Sequence, residues 1–200
     1  MPNYLAHLLL AENSPQGRVG NLLGDFMKLQ HAAHLPLALQ RGMSLHQAMD
    51  GFTDRHPCVL NSKGRITPLR RRYAGILVDI FYDHFLAQHW TCYASVPLEI
   101  FTNQVYAELS SMYEVLPPRL QDILPIMSAN NWLLRYRDID GIDQVLQRFS
   151  QHRLSRANPL GDAIIELTDQ YQGLGDDFQQ FFPELQAFTL QWSVTHLSLI

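Results

Sequence analysis

Apolar residues in this chain recur at spacings of three and four, and strand-like alternation of Val, Ile and Thr is scarce. That period is the helical one, so the chain is constrained to bury its apolar surface through amphipathic helices. The pattern predicts helices near 3–12, 18–30, 44–56, 66–90, 95–114, 118–136, 139–153, 159–172 and 176–196. Prolines punctuate them. Pro57 should stop the third helix at His56, and Ser44 is a suitable N-cap for its start. Pro125 and Pro183 fall inside predicted helices and should kink or split them. Across 200 residues, 46% apolar and 17% charged, this predicts an all-α fold, a single-domain helical bundle over residues 1–200.

Several classes are set aside by the same arithmetic. The uncharged run from Leu185 to Ile200 is 16 residues long, short of the roughly 20 that a membrane span requires. The opening MPNYLAHLLLAE has no basic n-region and no small-residue cleavage site, so no signal peptide is expected. Cys58 and Cys92 form neither a CxxC pair nor a disulfide framework, which points to a reducing cytoplasm and excludes cysteine-bound zinc. The net charge of −4 argues against a nucleic-acid partner. It conceals a split: residues 1–72 carry nine Lys/Arg against four Asp/Glu, and the remainder six against fifteen. The basic first third suits an anionic substrate or an acidic partner.

Chemistry-bearing residues concentrate in four stretches. His7 lies in Asn3-Tyr4-Leu5-Ala6-His7, on a helix apolar nearly all round. Asp25 follows Gly20-Asn21-Leu22-Leu23-Gly24, in apolar company that makes a carboxylate costly unless it is paired or metal-bound. From Ser44 to Pro57, Leu45, Met49, Phe52 and His56 fall on one helical stripe, and His46, Asp50 and Thr53 on the next, with Asp54 at its edge. Asp54 would stand near a helix C-terminus, where an acid needs a cation such as Arg55 or a metal. Finally, Asp79 and Asp83 sit four apart on an apolar helix, with His84 about 100° away. Two like charges there require a shared proton, an arginine such as Arg72, or a divalent ion. Aspartate and histidine donors without cysteine suit Mn²⁺, Mg²⁺ or Fe, and metal-assisted phosphoester hydrolysis is the reaction class that follows.

Together these elements resemble the bacterial acyl carrier protein phosphodiesterase family. The resemblance is carried by Asn3 to His7, Gly24-Asp25-Phe26-Met27-Lys28, Leu45-His46 through Phe52-Thr53-Asp54-Arg55-His56-Pro57, and Asp79 to Leu86 with Trp90. It covers residues 3–90. It implies an all-helical enzyme distantly similar to HD-domain phosphohydrolases, although the pair here is Asp83-His84, the reverse of a His-Asp doublet. It also implies manganese, and cleavage of holo-acyl carrier protein to apo-carrier protein and 4′-phosphopantetheine. On that reading Asp25, Asp79 and Asp83, with His56 or His7, hold the metal. Asp54 or His46 orients or deprotonates the attacking water, and His84 protonates the leaving serine. Lys28, Arg55, Arg70, Arg71 and Arg72 meet the phosphate or the acidic carrier. Two alternatives stand beside it: an HD-like hydrolase of nucleotides or other small phosphoesters, and a non-catalytic helical module for an acidic partner.

Overall fold

The computed structural model describes residues 4–152 and 158–196. Asn3, which opens the first motif, lies outside them. Among the described residues there are helices and no strands, as the periodicity predicts. In chain order they are α1 (Tyr4–Leu10), α2 (Pro15–Leu23), α3 (Leu37–Thr53), α4 (Pro57–Arg65), α5 (Ala74–Gln88), α6 (Trp90–Tyr93), α7 (Leu98–Ser111), α8 (Pro118–Ala129), α9 (Trp132–Arg135), α10 (Ile139–His152), α11 (Ile164–Asp169) and α12 (Tyr171–His196). No described helix is long and apolar enough to cross a membrane.

The core is organised on α5. Its buried positions run on all sides of the helix, from Ala74 through Leu77, Val78, Ile80, Phe81 and Phe85 to Ala87, so it must be covered all round. α1, α4, α10 and α12 supply that cover. Phe178, Phe181 and Phe182 of α12 meet Tyr82 and Phe85 of α5 and Tyr93 of α6 through ring contacts of 4.8–6.0 Å. This burial explains why α12 runs on through Pro183 instead of splitting there. An interior proline costs about 3 kcal/mol, and the buried Phe178, Phe181, Phe182 and Leu185 on either side each return about 1.5–3 kcal/mol. α8 likewise continues through Pro125.

The third predicted helix is displaced in both directions. α3 starts seven residues earlier, behind Pro36, and Ser44 bonds the Gln40 carbonyl from within it. It ends at Thr53, and Pro57 is a beginning: it stands at the first turn of α4, where a proline N–H is not needed. His56 caps that helix, its Nδ1 accepting from the Cys58 N–H at 3.2 Å. The predicted helix at 66–90 starts only at Ala74, after a single 3₁₀ turn at Arg71–Tyr73.

α2 and α3 lie backbone to backbone. A Cβ on Gly20 would stand 2.4 Å from the Leu39 carbonyl oxygen, and one on Gly42 2.7 Å from the Asn21 nitrogen. Only glycine permits that approach, and it draws Asn21 of α2 against the face of α3 that carries Met49.

α1 has only seven residues and cannot be stable alone. Asp83 of α5 anchors it: its two carboxylate oxygens accept from the Leu5 and Ala6 N–H groups at 2.8 and 2.9 Å. Asp83→Ala would leave two buried N–H groups unpaired, at about 1–3 kcal/mol each. The urea midpoint should drop accordingly, and an unchanged midpoint would show that Asp83 does not hold α1.

Candidate metal centre

α1, α2 and α3 converge on one polar cluster inside the apolar core. His7 comes from α1, Asn21 from the end of α2, and His46 and Asp50 from successive turns of α3. The two imidazoles are stacked, centroids 4.1 Å apart. Asp50 sits between their Nε2 atoms: His7 Nε2 is 3.3 Å from Oδ1, and His46 Nε2 is 3.3 Å from Oδ2. Among the described residues this is the one group of three that brings metal-ligand atoms within 4.8 Å of one another.

The cluster's donor atoms are ones that could take a metal ion. Asn21 Nδ2 faces the Met49 sulfur at 3.6 Å, which turns Oδ1 to His7 Nδ1 at 2.8 Å. Nδ1 therefore carries a hydrogen, and Nε2 is left facing a carboxylate oxygen. Burial, with His7 beside it, pushes His46 down to about 4, so His46 is neutral at neutral pH. Its Nδ1 is buried and makes no hydrogen bond among the described residues, and neither does Asp50 Oδ1, which His7 Nε2 approaches to 3.3 Å. Burial works to raise Asp50, but the two histidines together hold its carboxyl well below the usual carboxylate range. Two imidazoles and a carboxylate are a donor set that Mn²⁺, Fe²⁺ or Zn²⁺ binds. Asp50 is also where the cluster opens to solvent: its side chain is 27% exposed, against 2% and 3% for His7 and His46. Gly24 makes the room, since a Cβ there would stand 2.3 Å from the His46 ring.

The residues singled out in the sequence fall into three groups. His7 and His46 are in the cluster. Asp79 and Asp83 line the buried side of α5, and Asp79 feels the Asp50 charge. Its Oδ2 is buried without a partner. Asp25 follows α2 with its Oδ2 shielded from solvent. The others lie elsewhere. His56 caps α4 and its Nε2 meets Glu184 at 3.2 Å. Asp54 is exposed and paired with Lys63 at 2.9 Å. His84 is fully buried, with Nδ1 on the Tyr136 carbonyl at 2.9 Å and Nε2 on the Tyr171 hydroxyl at 3.0 Å. The arginine run does not form one surface. Arg71 and Arg72 are exposed, as are Lys28 and Arg55. Arg70 is buried on Glu166, at 3.1 Å, and on the Pro159 carbonyl. Asp50 was placed on the right stripe by the sequence but not singled out. Its signal was the i, i+4 spacing from His46, which puts both on one face.

Buried carboxylates make a measurable prediction. Burial, with the Asp50 charge adding, pushes Asp79 up to about 7 from an ordinary 3.8. The folded chain therefore holds this proton more tightly than the unfolded chain. The stability it contributes is full below about 4 and is lost as pH rises through about 7. His46, lowered by burial, acts in the opposite sense, so the comparison must be between variants. In chelator, Asp79→Asn should gain on the natural protein progressively between pH 4 and pH 7, toward about 4 kcal/mol. A stability difference that does not change with pH would contradict the assignment.

Comparison with known proteins places these elements in a family context. The profile of the acyl carrier protein phosphodiesterase family matches residues 2–185. Proteins named acyl carrier protein phosphodiesterase from Salmonella agona (strain SL483), Salmonella newport (strain SL254) and Salmonella heidelberg (strain SL476) are each 34% identical over 186 residues. The alignments cover 92% of this chain and 96% of each relative. No solved structure matches the chain.

Proposed function

Because the chain belongs to the acyl carrier protein phosphodiesterase family, we propose that it hydrolyses the phosphodiester joining 4′-phosphopantetheine to a serine of holo-acyl carrier protein. The products are apo-carrier protein and 4′-phosphopantetheine. The observation that carries this reading is the pair of stacked imidazoles closed on one carboxylate, in a cluster that opens to solvent at Asp50.

In this reading His7, His46 and Asp50 hold a divalent ion, Mn²⁺ foremost and Mg²⁺ or Fe²⁺ otherwise. When bound, such an ion polarises a phosphoryl oxygen and makes a coordinated water more acidic. The protein's own groups do the rest. Asn21 fixes the His7 tautomer so that Nε2 presents its lone pair. Gly24 keeps the His46 ring in place. Asp79, held near neutrality by burial, keeps or releases a proton at Oδ2 as the site's charge changes. Asp83 positions His7 by holding α1, and Asp25 closes the α2 side. His84 has both nitrogens engaged and takes no part. Exposed Lys28, Arg55, Arg71 and Arg72 draw an acidic carrier to this half of the molecule. Arg70, tied to Glu166, does not.

The test is the mass of carrier protein before and after incubation with enzyme and Mn²⁺, beside a panel of nucleotides. Loss of phosphopantetheine from holo-carrier protein supports the reading. Turnover of nucleotides alone would favour the small-phosphoester alternative. Asn21→Leu should weaken Mn²⁺ binding by about 10–100-fold, and Asp50→Ala should cost more, both with helical content retained. Turnover by Asp50→Ala at the natural rate would remove the metal centre from the account. Reversal of charge at Arg71 and Arg72 should raise KM, leave kcat alone and flatten the salt dependence of kcat/KM. An unchanged salt response would remove the steering role.

A further inference from the structure

A second cavity lies outside the polar cluster, between α1, α8, α9 and α10. It encloses about 500 Å³, within the range of about 300–1,000 Å³ typical of small-molecule sites. Its walls are mainly apolar, with Ile123, Met127, Leu133 and Val145 among them. Two guanidiniums stand on this apolar ground. Arg119 and Arg148 both line the cavity, and neither has an ion-pair partner among the described residues. Arg148 is stacked over the Trp132 ring, 4.6 Å from guanidinium carbon to centroid. Trp132 is itself in the wall. Two guanidiniums beside an apolar hollow complement an occupant with an anionic head and an apolar body.

We propose that this cavity binds a free fatty carboxylate, with its chain among Ile123, Met127, Leu133 and Val145 and its head on Arg119 and Arg148. The charge decides the chemistry: an uncharged chain of the same length would fill the apolar volume but leave both guanidiniums without a counter-ion. The site stands apart from the hydrolytic reading and does not rest on it. The two touch through α1, since Tyr4 lines the cavity and His7 follows it by one turn.

The experiment is titration calorimetry of the full chain with octanoate, decanoate and dodecanoate, and with decanol. Saturable 1:1 binding is expected, tightening by about fourfold for each added methylene until the cavity is full. Decanol should bind at least about tenfold more weakly than decanoate. The variant carrying Arg119→Gln and Arg148→Gln should lose that preference. Both positions are at least partly exposed, and far-UV circular dichroism with an unchanged melting temperature confirms folding. Absence of saturable binding would overturn the proposal. Equal binding of decanol and decanoate, or binding indifferent to the arginine substitutions, would show an apolar void only. Neither result would touch the hydrolysis of carrier protein.

Discussion

Everything in the N-terminal half depends on how Asp83 is satisfied. A fully buried carboxylate is among the most expensive groups a core can hold. This one is met by two backbone N–H groups at the start of α1. The bond runs in both directions: α5 gains partners for a costly acid, and a helix too short to persist alone gains a fixed position. With α1 fixed, His7 is brought onto His46, and the glycine contacts between α2 and α3 bring Asn21 behind it. The polar cluster is thus a consequence of tertiary anchoring and not of any one helix.

Proteins bury imidazole against carboxylate readily when a proton is shared between them. Here His46 is held neutral by burial, and Asn21 engages Nδ1 of His7 so that its Nε2 faces the same carboxylate. Hydrophobic packing of α5 and α12 supplies the energy that keeps such a site assembled. A divalent ion on these donors is the proposed link between the fold and a phosphodiesterase family's chemistry.

Much of this was legible in the sequence, for local reasons. Helical periodicity is a short-range signal, so the all-α fold and the buried stripe of Leu45 and Met49 came through. The stripe reading also put His46 and Asp50 on one face. Asp50 was overlooked because its neighbours in sequence are unremarkable and its significance comes from His7, 43 residues earlier in the chain. His56 and His84 looked equivalent to His46 in sequence. Their partners, Glu184, Tyr136 and Tyr171, lie 52 to 128 residues away, and no spacing rule reveals them. Arg70 was read with Arg71 and Arg72 as one basic run for the same reason, since Glu166 claims it from 96 residues along the chain. Pro57 misled in a different way: proline ends one helix and begins another with equal ease, and only the cap from His56 distinguishes the two.

The most direct measurement is anomalous diffraction from crystals of the protein grown or soaked with Mn²⁺. The account requires a single strong peak bounded by the His7 and His46 rings and the Asp50 carboxylate. A peak seated elsewhere, with those three side chains untouched, would contradict it, as would a fully ordered cluster with no anomalous density under saturating Mn²⁺.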